Sequence, residues 1–129
     1  MEEWINRINQ IRETLGVSPY KNIAVADFLI GNDRGELIAI SGRSTRPGTV
    51  ALPDNPLFQT FEVPPGHSRS YDSERKLLEE VGLRYVQTPD VQGRINVWTE
   101  REPCDSCCEV IEQFRRRFPN IRLTVNDTM

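Results

Sequence analysis

All three cysteines of the chain, Cys104, Cys107 and Cys108, fall within five consecutive residues. Any disulfide among them would be local, so they cannot form a long-range covalent framework. Thiols clustered this way are metal ligands, a redox pair or reactive groups. Pro103 precedes Cys104 and opens a helical pattern, which puts Cys104 and Cys107 on one face of a first helical turn, where they can share a metal ion. A helix N-terminus also favours the thiolate, the form that binds metal. A second cluster stands upstream: His67, then Asp72-Ser73-Glu74 at another expected helix start. Two thiolates leave a tetrahedral catalytic metal in need of a further protein ligand, with a water in the open position. Asp72 or His67 supplies that ligand. Asp72 is better placed, because Glu74 follows two residues later and can work beside the open position as a proton carrier.

These residues need elements to hold them. Residues 2–15 carry Trp4, Ile8, Ile11 and Leu15 at spacings of four, three and four, an amphipathic helix ended by Gly16. Residues 22–30 read as a strand, 31–35 as a turn and 36–41 as the returning strand, together an antiparallel hairpin. Residues 42–70, with five prolines, read as one long loop. A helix is expected over 72–81, with Leu77, Leu78 and Val81 buried, then a strand over 94–99. A helix follows from Pro103 to about Phe118, and a last strand over 121–125. A hairpin followed by strand and helix in alternation implies a mixed sheet of about four or five strands flanked by about three helices, an α/β sandwich.

At this point the chain resembles a known family. The zinc nucleobase deaminases carry His-x-Glu at a helix start and Pro-Cys-x-x-Cys on the next helix. This chain reads Asp72-Ser73-Glu74, then 28 residues, then Pro103-Cys104-Asp105-Ser106-Cys107. Within that superfamily, the run from Asp72 to Val81, Asp-Ser-Glu-Arg-Lys-Leu-Leu-Glu-Glu-Val, resembles bacterial polymorphic-toxin deaminases in which Asp replaces His. The resemblance covers about residues 1–125. It departs in that Asp, and a chain ending after the fourth expected strand where many members add a fifth.

The resemblance implies a cytidine-deaminase-like three-layer sandwich and a Zn2+ ion on Asp72, Cys104 and Cys107. Glu74 would move protons while a metal-activated water displaces the exocyclic amine. Cytosine to uracil is the expected conversion, in nucleic acid, with single-stranded DNA favoured over RNA or duplex DNA; adenine fits the same core motif. Such domains are C-terminal warheads of secreted effectors that act in the target-cell cytoplasm and are neutralised by a cognate immunity protein. Ser44 and Thr45 follow the second strand, where the family places base-contacting polar residues. Thr99 and Arg101 would border the same pocket, and His67 and Ser73 complete the expected substrate-binding set.

Composition narrows the partners. The 129 residues suit one domain, 1–129, and a monomer is expected; 37 % hydrophobic and 27 % charged is a soluble balance. No apolar run is long enough to span a bilayer, so no membrane partner is expected. A formal charge of −3 disfavours a globally basic nucleic-acid binder, although an enzyme needs only a local groove. Arg43, Arg46, Arg69 and Arg101, with the loop 42–70, could line such a groove. The run Arg115-Arg116-Arg117 reads as the solvated face of a helix that buries Phe114 and Phe118. The acidic charge also suits a free nucleoside or nucleotide. A zinc-stabilised binding module without turnover and a thiol redox protein are the remaining alternatives.

Overall fold

A computed structural model describes residues 2–19, 21–42, 47–53, 55–58, 62–63, 67–68, 73–100 and 105–127. Helix α1 spans Glu2–Leu15 and ends at Gly16, whose φ of 63° is the left-handed conformation that closes a helix. Strands β1 (Ile23–Ile30) and β2 (Asp33–Ile40) form the expected hairpin. Two short strands, β3 (Glu62–Val63) and β4 (His67–Ser68), pair with each other. Then come α2 (Ser73–Tyr85), β5 (Gly93–Thr99), α3 (Asp105–Arg117) and β6 (Ile121–Asp127).

The main sheet is four-stranded and mixed, in the order β2-β1-β5-β6. The β1 strand pairs antiparallel with β2 and with β5, and β5 pairs parallel with β6 through the α3 crossover. Side chains alternate across the sheet. One face presents Ala24, Ala26, Phe28, Ile30, Ile95, Val97, Leu123 and their neighbours to α2 and α3, the larger core. Phe114 stands at its centre, 6.0 Å from Phe58 and 5.0 Å from Phe118 between ring centroids. The other face gives Ile23, Val25 and Ile40 to Ile8 and Ile11 of α1, and Trp4 stacks on Trp98 at 5.4 Å. Helices thus lie on both faces, and β1 is buried almost throughout. Among the described residues, the expected mixed sheet with three helices is what forms.

Several boundaries differ from expectation, two of them with a clear physical reason, and the stretch 42–70, expected as one long loop, also holds the paired strands β3 and β4. The β2 strand begins at Asp33 rather than Glu36, because Ile30 pairs with Asp33 and leaves only Gly31-Asn32 as the turn. Gly31 takes a φ of 58°, which a tight hairpin turn requires. Helix α2 runs on past Val81 to Tyr85. Gly82 does not break it, because its bare face lets the loop approach: a Cβ there would stand 2.9 Å from Leu57. Within the expected loop, Val50 N–H donates to Ile38 O at 2.8 Å, and Leu57 and Phe58 are pinned to α2.

That pinning uses charged residues that a helical pattern would assign to solvent. Glu79 is fully buried and accepts from the Leu57 and Phe58 amides at 2.7 and 3.2 Å. Arg75 pairs with Glu79 and donates to Phe58 O at 2.6 Å. Lys76, 1 % exposed, donates to Ile40 O and Gly42 O at 2.7 Å each, tying α2 to the end of β2. Burial, reinforced by the charge of Lys21, pushes its pKa down. Buried charges persist only when they are hydrogen-bonded, and here each has a backbone partner.

Candidate active site

The strand directions decide where chemistry can occur. Asn22 enters β1 at the same end of the sheet where β2 and β5 finish, since Ile23 pairs with Ile40 and Ala24 with Thr99. Helix α2 starts there, and its last residue lies at the other end, where Tyr85 Oη donates to Asp33 at 2.7 Å. Helix α3 follows the finish of β5 and leads back to the start of β6, so it also begins at the Thr99 end. The first turns of α2 and α3 therefore converge at one sheet edge, with two helix-dipole positive ends directed at it.

At that edge lies a buried polar network. Glu74, 5 % exposed, receives the Thr99 hydroxyl on Oε1 at 2.6 Å and Asn22 Nδ2 at 3.1 Å. The Ser73 hydroxyl donates to Glu74 Oε2 at 3.3 Å. Asn22 Nδ2 also lies 2.7 Å from Ser73 Oγ and 2.7 Å from Thr99 Oγ1. The amide has two protons for three acceptors, and Asn22 Oδ1 is buried with no partner among the described residues. Donors on both carboxylate oxygens hold the side chain in one orientation.

Asn22 is in turn fixed from outside. Its N–H donates to Ser41 Oγ at 2.9 Å and its carbonyl accepts from Ser41 N–H at 2.9 Å, extending the β1–β2 ladder. The next amide, Ile23 N–H, donates to Glu100 at 2.9 Å. Glu100 also pairs with Arg12, which reaches Ser18 O and Lys21 O and so clamps the segment between α1 and β1. Helix α1 thereby sets the height at which Asn22 meets the α2 start.

The structure thus brings Glu74, Ser73 and Thr99 together, three residues that sequence reasoning names. Ser73 and Thr99 are fully buried, and both direct their hydroxyls at Glu74. Cys107 lies in the first turn of α3, at the same sheet edge, and His67 lies in β4. Asp72, Cys104, Ser44, Thr45 and Arg101 lie outside the described residues, as do Arg43, Arg46 and Arg69. Asn22 is the site residue that sequence reasoning misses. A single amide just before a strand carries no periodic signal, and its partners lie 51, 52 and 77 residues away.

No helix among the described residues is long and apolar enough to cross a membrane. No curated protein matches the chain. Residues 6–129 match the model of a toxin-deaminase family, described as the BURPS668_1122 family of deaminases. That match spans the whole sheet and all but the first turn of α1. The chain belongs to that family.

Proposed function

From that membership, we propose that the chain is a zinc-dependent hydrolytic deaminase converting cytosine to uracil in nucleic acid, with single-stranded DNA as the favoured substrate. The observation that carries the reading is Glu74: a buried carboxylate, held by Thr99, Asn22 and Ser73, at an edge where two helix starts converge.

The donor chemistry fits a zinc ion. Asp72 and Cys104 stand just before α2 and α3, and Cys107 in the first turn of α3. Two thiolates and a carboxylate suit Zn2+. Asp72, Cys104 and Cys107 would hold the ion, which when bound supplies the Lewis acidity that lets a water lose a proton near neutral pH. Glu74 takes that proton and passes it to the ring nitrogen, then takes the proton of the hydroxyl added to the carbon and delivers it to the amine. A C–O bond forms at the amine-bearing carbon, the C–N bond breaks, and ammonia leaves with Glu74 ionised again. Thr99 and Asn22 hold Oε1 through each transfer, so the carboxylate need not search for its geometry.

A base can reach a site of this kind only if it is unpaired or flipped out, which favours single strands. The wider reading follows the family: an interbacterial toxin, the effector domain of a secreted protein, acting in the target-cell cytoplasm and neutralised by an immunity protein. Residues 1–129 would form the deaminase domain, as a monomer.

The test is incubation of single-stranded DNA, duplex DNA and RNA with the wild type and with Glu74→Ala, followed by sequencing. Cytosine-to-uracil changes confined to single-stranded DNA and to the wild type support the reading. Adenine changes, or ammonia released only from free nucleosides, overturn its substrate. A zinc-loaded protein that releases no ammonia from any of them overturns its chemistry.

A further inference from the structure

Helix α1 covers only part of its sheet face. Beyond Trp98, Val25 and Ile38 the same face continues through two more rows of side chains, with no helix among the described residues over them. The register defines these rows: Glu36, Asp27, Asn96 and Thr124 form one, and Arg34, Leu29, Arg94 and Arg122 the last. Three arginines therefore stand in a single row across four strands, with Arg94 and Arg122 directly paired and Arg34 two strands from Arg94. All three are exposed, and among the described residues none has a hydrogen-bond or ion-pair partner.

Like charges placed opposite each other on adjacent strands, about 4.8 Å apart, oppose folding. The nearby carboxylates do not balance them. Glu36 is taken by Arg7 at 2.7 Å and Asp33, next to Arg34, accepts from Tyr85, while Asp27 lies in the depression of about 220 Å3 that it shares with Arg34 and Arg94. A larger depression of about 550 Å3 is lined by Arg94 and Arg122 together with Leu29, Gly31, Gln92, Gly93 and Asn120.

We propose that this uncovered sheet face, from Arg34 through Arg94 to Arg122, binds the phosphodiester backbone of a single-stranded nucleic acid outside the site at Glu74. Guanidinium forks and side-chain amides are the groups that recognise phosphate. An acidic protein partner is the competing occupant. A protein interface needs an apolar or aromatic anchor at its centre, and these two rows offer Leu29 alone and no aromatic ring. The missing rings also mean that the backbone is held here and the bases are not stacked.

The inference rests on the reading that the substrate is a nucleic-acid polymer, and it adds a length requirement. Arg94 lies five residues from Thr99, about 17 Å along the strand at ~3.3 Å per residue, and on the opposite sheet face. A dinucleotide occupying the site cannot reach the arginine row, whereas a long strand can pass round the sheet edge to it.

The experiment compares R34Q/R94Q/R122Q with the wild type, using a fluorescein-labelled single-stranded oligonucleotide of about 20 nucleotides. Anisotropy is read across a salt series in a Glu74→Gln background. The proposal expects affinity to fall at least about tenfold and the slope of log K against log salt to shrink by about 2, at ~0.7 per lost phosphate contact. R34K/R94K/R122K should keep most of the slope, and thermal melting should be unchanged. With Glu74 intact, the Gln triple variant should raise KM for the long strand and leave dinucleotide turnover as in the wild type. If the wild type binds and deaminates the oligonucleotide and the Gln variant matches it in affinity and slope, the proposal is overturned while the nucleic-acid reading stands. If that variant instead loses only binding of a labelled polyglutamate peptide, the face belongs to an acidic partner and the proposal is again overturned. A wild type that neither binds nor deaminates the oligonucleotide removes the polymer reading itself, and the proposal with it.

Discussion

Thr99 Oγ1 lies 2.6 Å from Glu74 Oε1, joining the last residue of β5 to the first turn of α2 across 25 positions of sequence. The donor is a fully buried hydroxyl, so water cannot replace it when it is removed. The same hydroxyl oxygen faces Asn22 Nδ2 at 2.7 Å, which orients its proton toward the carboxylate.

Thr99→Val keeps the shape and removes the donor. A hydrogen bond to a charged group contributes about 1.5–3 kcal/mol, so deaminase turnover should fall about 10- to 100-fold. Steady-state kinetics on one substrate should show the loss in kcat more than in KM, because Thr99 acts through Glu74. Equal loss in both would mean that Thr99 contacts substrate instead.

Asn22 and Thr99 share partners, so their effects should not add. Asn22→Leu leaves Ser73 and Thr99 without the amide that faces both, and chemical denaturation should record a loss of about 1–3 kcal/mol. In a double-mutant cycle with Thr99→Val, a coupling of about 0.5–3 kcal/mol is expected. A coupling near zero would mean that the network does not act as one unit.

Tyr85 gives an alkaline signature. Burial, then its bond to Asp33, raises the phenol pKa to about 12 from 10.0. The group is neutral in both states below the unfolded value, where its contribution to stability is complete. Between pH 10.0 and about 12 the unfolded chain ionises first, and the contribution is lost across that window. Ultraviolet titration should show Tyr85 ionising late, and Tyr85→Phe should remove that late step. A Tyr85→Phe variant that loses no late step would contradict the Asp33 contact.

At Gly93 the neighbouring β1 backbone leaves no room for a side chain. A Cβ there would stand 2.5 Å from Leu29 O and 2.6 Å from Ile30 Cα, both main-chain atoms that cannot rotate away. Gly93→Ala should therefore force β1 from β5 and cost on the order of 1–3 kcal/mol, the range for overpacking. Gly82→Ala, whose nearest contact is the flexible end of Leu57, should cost less, because a helical alanine offsets part of the strain. Thermal melting of the two variants should separate them.

The elements that could be read from sequence are those with local causes. The stripe of Trp4, Ile8, Ile11 and Leu15, closed by Gly16, specifies α1 by itself. The β1–β2 hairpin follows from apolar strands around a glycine-bearing turn, although its register waited on the pairing of Ile30 with Asp33. The ties on residues 57–58 were not legible, because Arg75 and Glu79 look like solvent-facing helix residues until Leu57 and Phe58 dock on them. At the site, Glu74 was legible through its spacing from Asp72 and the cysteine pair. Asn22 was not, because what selects it is the meeting of three separate elements at one sheet edge.

The measurement that tests the central claim most directly is ammonia release by Glu74→Gln at matched zinc content. Glutamine keeps the size of the side chain and its contacts with Thr99 and Asn22, but cannot carry a proton. If Glu74 moves the protons of the reaction, release falls by about 10²- to 10⁴-fold with the fold and bound zinc retained. If Glu74→Gln releases ammonia at the wild-type rate, Glu74 is a structural carboxylate and the active site lies elsewhere.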